Sequence, residues 1–199
     1  MKTFKTYGLL FVPVFAFILM MLPATAQAQT IYNSATMIVS LNGTSNIHDW
    51  EMKAAKGKSE VVFGIGVSGK IESISRLSFT LPVTNLKSDH TGMDNNTYKA
   101  LKAPANPNFT FVMTSGVITS TGTNSYMINC KGKLSIAGKT NDTEILASGV
   151  YNPADKSITI SGVKKMKMTD FNVAPPKALM GTIKTSNDIS ISYTIKFIR

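Results

Sequence analysis

"DISISYTIKF", Asp188 to Phe197, decides the fold class. Ile189, Ile191, Tyr193, Ile195 and Phe197 take every second position, with Asp188, Ser190, Ser192, Thr194 and Lys196 between them. A period of two sends alternate side chains to opposite faces, so this is a β-strand with one face buried and the other wet. The same period recurs upstream. Tyr126, Ile128, Cys130, Gly132, Leu134 and Ile136 face one way; Asn129, Lys131, Lys133 and Ser135 face the other, and only Met127 breaks the polarity. Phe109, Phe111 and Met113 alternate with Thr110, Val112 and Thr114. Leu77, Phe79, Leu81 and Val83 share a face that Pro82 interrupts, as a proline at a sheet edge or bulge does.

Turn signals separate these runs: Asn42-Gly43, Ser68-Gly69, Gly122 to Ser125, Gly138 to Asn141, Asn152-Pro153 and Ser186-Asn187-Asp188. About eight or nine strands follow, in one antiparallel all-β domain without repeats or internal boundaries. Several strands run about 10 to 13 residues, longer than a compact sandwich uses. Small residues on inward faces, such as Gly132 beside Leu134 and Ala147 and Gly149 near Tyr151, leave room inside. A closed barrel of about eight strands is just wide enough to hold one small ligand. The expected fold is that barrel.

One stretch does not alternate. "HTGMDNNTYKALKAPANPNFTF", His90 to Phe111, offers a Thr91-Gly92-Met93-Asp94 capping box, about three helical turns and a stop at Pro104 and Pro107. The expectation is one short helix between strands, over residues 92–102, lying across a barrel end. Tyr98 and Leu101 would then press towards the interior, with Lys99 and Lys102 outward.

Residues 1–28 have the pattern of a secretory leader. Lys2 and Lys5 precede an apolar run from Tyr7 to Leu22, and Pro23 precedes the overlapping A-x-A sites of Ala24 to Ala28. Cleavage after Ala26 or Ala28 makes Gln27 or Gln29 the mature N-terminus and leaves the domain of residues 29–199, periplasmic or secreted. The single cysteine, Cys130, excludes an internal disulfide, so stability must come from a core. Without Lys2 and Lys5 the chain keeps nineteen of its 21 basic residues against 11 acidic ones, a net charge of +8. That balance suits transient contact with an anionic membrane surface or an anionic ligand. The lysines are scattered rather than gathered on one face, which argues against nucleic acid.

The inventory for catalysis is thin. His48 and His90 are the two histidines, and no cluster has metal-ligand spacing. Cys130 sits between Ile128 and Gly132 as a buried, inert thiol. Ser161-Gly162-Val163-Lys164 matches S-x-x-K with no second motif beside it. Asp94-Asn95-Asn96 opens like a calcium loop but lacks the glycine and the distal glutamate. No catalytic residue, metal or required cofactor is expected. Met166 and Met168 are soft enough either to fill a core or to line a cavity for a bendable hydrocarbon. Trp50, alternating with Met52 and Ala54, suits either a core or a barrel mouth.

Four stretches, spread over nearly the whole chain in order, resemble the YceI-like family. They are "GTSNIHDWEM" from Gly43, "LKSDHTGMDNNTYKALKAPANPNFTF" from Leu86, "CKGKLSIAGKTNDTEI" from Cys130 and "MKMTDFNVAPPKALMGTIKTSNDISISY" from Met166. Asn106-Pro107-Asn108 and Asn172 depart from the family pattern, which bears on loop conformation more than on fold. The resemblance implies an elongated lipocalin-like barrel that binds an isoprenoid chain, a polyprenyl lipid or an isoprenoid quinone, without catalysis. The residues then expected to line the cavity are Trp50, Phe79, Leu81, Tyr98, Leu101 and Phe111 in the first half of the chain. In the second half they are Met113, Tyr126, Leu134, Met166, Met168 and Tyr193. The rival expectation is a packed barrel that serves as a non-catalytic periplasmic interaction or stress-response module.

Overall fold

The structure, a computed structural model, describes Thr3 and residues 28–199. The expected leader lies outside the described residues, apart from Thr3 and from Ala28, which begins the first strand. The strands are β1 (Ala28–Ser45), β2 (Asp49–Ala54), β3 (Lys58–Ile65), β4 (Ile71–Pro82) and β5 (Asn108–Ser120). Then follow β6 (Ser125–Ile136), β7 (Lys139–Asn152), β8 (Ser157–Lys167), the two-residue β9 (Lys177–Ala178) and β10 (Ile183–Ile198). Among the described residues there is a single α-helix, α1 (Thr91–Ala100), which connects β4 to β5. Every pairing is antiparallel, in the order β1, β3, β4, β5, β6, β7, β8, β10, and β10 returns to β1. Eight strands therefore close on themselves. β2 shares an edge of β1 with β3, since β3 pairs with residues 28–33 and β2 with residues 39–44.

Burial follows the period of two. All six inward residues of β6, Tyr126 through Ile136, are buried. In β5 the register slips between Met113 and Ser115, and the extra residue Thr114 donates its hydroxyl to Lys131 O at 3.1 Å. That bulge shifts the inward set by one, so Gly116 and Ile118 continue the face of Phe111 and Met113.

Several turn signals lie elsewhere than the sequence suggests. Asn42-Gly43 is no turn; it lies inside β1, with Gly43 opposite Trp50. Its glycine serves close packing instead, because a Cβ there would collide with the Trp50 ring. Ser186-Asn187-Asp188 lies inside β10, where that strand carries two more residues than β1 between matched pairs. The bulged Asn187 accepts from Thr169 N at 3.1 Å and donates to Thr169 Oγ1 at 2.9 Å. Its side chain thus ties β10 to the turn after β8. Pro82 sits at neither an edge nor a bulge but at the last position of β4, opposite Asn108. The turn begun by Gly138 narrows to Ala137 and Gly138, whose φ values of 51° and 84° make a tight two-residue hairpin.

The helix forms, with different ends. His90 is the N-cap and contributes no side-chain bond, so the Thr91 capping box does not form. Asp94 turns back instead and accepts from Ser88 N and Ser88 Oγ, both at 2.8 Å, with Lys87 Nζ at 3.6 Å. Burial pushes the Asp94 carboxyl up, but the Ser88 bonds and the Lys87 charge outweigh it and hold the carboxyl below its ordinary value. With the folded value depressed, this anchor is fully present above the unfolded carboxylate range and is lost as pH falls. At the other end Lys102 adopts φ 51°, while Ala103 N donates to Tyr98 O and Lys102 N to Lys99 O. This Schellman motif ends the helix at Ala100, four residues before Pro104.

Side-chain packing divides the barrel. At the end ringed by the β3–β4, β5–β6 and β7–β8 turns, Tyr32, Val61, Phe63 and Ile158 have no solvent exposure. There Tyr32 and Phe63 meet edge to face at 5.7 Å. That end is solid. The other end is hollow, and α1 lies beside its opening.

Candidate functional site

Two adjoining spaces occupy the hollow half. The inner chamber, about 170 Å³, lies within the wall of strands; the mouth chamber, about 350 Å³, is bounded by α1, the β1–β2 turn and residues 166–189. Leu41, Leu101, Ile136, Met166 and Ile189 border both. The inner chamber is walled almost wholly by hydrocarbon, Ser59 and Lys164 being the polar exceptions besides the Tyr193 phenol. The polar lining of the mouth includes His48, His90, Lys167 and Lys177 and no carboxylate.

Nine of the twelve residues expected from the sequence border these spaces. Trp50 and Met168 line the mouth; Phe79, Leu81, Phe111, Leu134 and Tyr193 line the inner chamber; Leu101 and Met166 line both. Three lie elsewhere. Tyr98 is turned aside, donating its hydroxyl to Leu86 O at 2.6 Å under the Lys87 ammonium, which stands 5.2 Å from the ring centroid. It fastens the helix, while Met93, Thr97, Ala100 and Leu101 face the cavity. Met113 packs on the core beside the β5 bulge. Tyr126 belongs to the solid end, where Ile71 N donates to its hydroxyl at 3.4 Å. The barrel residues Leu41, Ile189, Ile191 and Lys164 also face the cavity. Alternation with Tyr193 could have found the two isoleucines. Lys164 follows Ile158, Ile160 and Gly162 at the same period, a lysine at an inward place.

The hollow does not arise from missing side chains at glycines, as the sequence suggested. A Cβ on Gly132 would strike Val112 O and the Phe111 ring, whose nearest carbon after Cζ at 2.6 Å is Cε2 at 2.8 Å. Gly162 lies under the Tyr193 phenol and Gly43 under the Trp50 indole, and both are directly paired across strands. Each glycine lets an aromatic ring lie along the wall. The rings of Phe111, Tyr193 and Trp50 therefore do not cross the lumen, and the lumen stays open. The Trp50 ring is fixed further by Nε1–H donation to Thr44 O at 3.1 Å.

Beside the inner chamber the wall parts between β7 and β8. Pairing of β7 with β8 stops at Ala147 and Gly162, though β7 extends to Lys139 and β8 to Lys167. Across the gap Lys164 Nζ donates to Glu144 O at 2.9 Å, and Asn141 Nδ2 to Asp170 O at 2.8 Å. Beside it the Tyr193 hydroxyl is buried with no hydrogen-bond partner. Such a group forfeits roughly 1–3 kcal/mol of solvation. Burial, and secondarily Cys130, pushes this phenol up to about 12.

The candidate catalytic groups of the sequence lie apart among the described residues. Ser161 and Lys164, three apart on a strand, point to opposite faces. His48 and His90 are exposed at the rim. Among the described residues no three of His, Cys, Asp and Glu come together as metal ligands. Cys130, 1 % exposed on the inner wall, has its thiol pushed up to about 11 by burial. Folded protein should therefore resist a thiol reagent at neutral pH and label only after denaturation. Labelling of native protein at the rate of a free thiol would contradict the facing of the whole β6 run.

The model of the YceI-like domain matches residues 25–197. No curated protein matches the sequence. Among solved structures, BcnA of Burkholderia cenocepacia superposes with a TM-score of 0.64 at 22 % identity, over 80 % of this chain and 95 % of its own. A polyisoprenoid-binding domain of Saccharophagus degradans, implicated in plant cell wall breakdown, gives 0.61 at 7 % identity, over 87 % and 99 %. The YceI protein of Campylobacter jejuni gives 0.52 at 20 % identity, over 71 % and 82 %. At these identities the likeness shows a shared fold, and the family match covers nearly all the described barrel: the chain belongs to the YceI-like domain family.

Proposed function

We propose that this protein is a non-catalytic carrier that holds an isoprenoid lipid, a polyprenyl chain or an isoprenoid quinone, in its hollow half. One observation carries the reading: an apolar lumen that opens through a mouth beside α1 and ends blindly on packed side chains. A blind apolar tube suits a chain that enters by one end. The mouth chamber, at about 350 Å³, is by itself in the range of small-molecule sites, and the inner chamber adds about 170 Å³ to it. Each buried CH₂ contributes about 0.8 kcal/mol, so a few isoprene units offset the cost of association without a charged contact. The polyisoprenoid-binding relative from Saccharophagus degradans supports the same reading. A fully packed interaction module, the rival expectation, fits only the solid half.

Export by the leader would place the carrier in the periplasm or outside the cell. There its rim, with Ile47, Leu179 and Met180 exposed near Lys177 and Lys184, is the part suited to touch an anionic bilayer. Trp50 is the only tryptophan and it lines the mouth, so it reports on filling. Titration with a short-chain isoprenoid quinone should quench its fluorescence saturably, at micromolar concentration. Linear, collisional quenching equal to that of free tryptophan would tell against the proposal.

A further inference from the structure

We infer that the β7–β8 seam is a polar subsite inside the barrel, in which Lys164 Nζ and the Tyr193 hydroxyl donate to an acceptor oxygen on the head group of the bound amphiphile. The inference rests on the carrier reading and adds the ligand's chemistry and orientation. Three features of the wall meet at one spot. Lys164 is the one charged side chain among the inner chamber's lining residues, and its ammonium spans the gap to a single backbone carbonyl. An ammonium has three donors, so two more are available for a ligand. Tyr193 stands across from Gly162, two residues before Lys164 on the same inward face, and its hydroxyl has no partner. Gly162 offers the phenol no Cβ to interlock with, so lifting the ring off the wall turns the hydroxyl towards the lumen.

Both groups offer hydrogens, and burial keeps the phenol protonated. A donor pair in a hydrocarbon chamber selects a group rich in acceptor oxygens: a quinone carbonyl, a carboxylate or a phosphate. It gives nothing to a plain hydrocarbon. The head group would therefore lie at the seam and the isoprenoid tail would run past Met166 and Leu101 to the mouth.

The test compares two probes with similar chains, a naphthoquinone bearing four isoprene units and the saturated hydrocarbon phytane, by displacement of an apolar fluorescent dye. Wild-type protein should prefer the quinone by about tenfold or more. Tyr193→Phe should lose about fivefold for the quinone, and Lys164→Met, which keeps the stem, about tenfold. Phytane binding should hold or tighten in both, since each substitution only removes a polar group from the apolar wall, and Tyr193→Phe should melt no lower than wild type because it removes an unpartnered hydroxyl. Variants that hold the quinone as tightly as wild type, or lose both probes equally, would overturn the subsite and leave the carrier intact. Wild-type protein that binds neither probe would overturn the carrier reading itself.

Discussion

Gly132→Ala should destabilise the barrel severely. The added methyl meets the backbone oxygen of Val112 and the Phe111 ring, and the backbone cannot step aside without opening the β5–β6 ladder at its bulge. Overpacking of this kind costs about 1–3 kcal/mol, and a contact against main chain belongs at the upper end. For a domain of this size that is a fall in Tm of roughly 4–10 °C. Gly132→Leu should be no milder. Thermal unfolding followed by far-UV circular dichroism checks it; a shift below 1 °C would mean that Gly132 faces free space after all.

Ala147→Leu should do the opposite. Ala147 is also small and inward, on the neighbouring strand, but it borders the inner chamber. The larger side chain enters space that is already empty, so the melting temperature should hold or rise slightly. Isoprenoid binding should fall tenfold or more, because the added carbons occupy a large share of the roughly 170 Å³ available. Unchanged affinity would show that ligand stays in the mouth. A large loss of stability would show that the chamber is closed in solution, and would revive the packed-module reading.

The contrast between these two small residues marks how far the sequence is legible. The period of two states which face of β6 is buried, and all six positions obey it. It does not say whether a glycine on that face is a hole or a seat for a neighbour's ring, because that depends on cross-strand register. Gly132, Gly162 and Gly43 are all seats. Register also decides the strands that the sequence breaks too early: a bulge absorbs Asn187, and an indole requires Gly43, where turn chemistry alone suggests a reversal in each case.

The helix shows a second limit. "TGMDNNTYKA" is polar on nearly every side, so no apolar stripe sets its rotation. Tyr98, its largest side chain, points to the cavity on size alone, yet the carbonyls of Thr84 and Leu86 capture its hydroxyl. That bond rotates Met93 and Thr97 towards the mouth. The anchoring Asp94 is likewise consumed by a tertiary contact with Ser88 rather than by the helix start. Aliphatic candidates such as Leu81 and Leu134 were easier, since a long alternating strand leaves them one face to take.

Native mass spectrometry of protein recovered from isoprenoid-producing cells shows whether the barrel carries a lipid. The expected spectrum contains a population heavier than the bare chain by one hydrophobic molecule, released intact on activation and identified in the organic extract as an isoprenoid bearing oxygen. Protein that carries only its chain mass, and that stays bare after incubation with polyprenyl lipids and isoprenoid quinones, would contradict it.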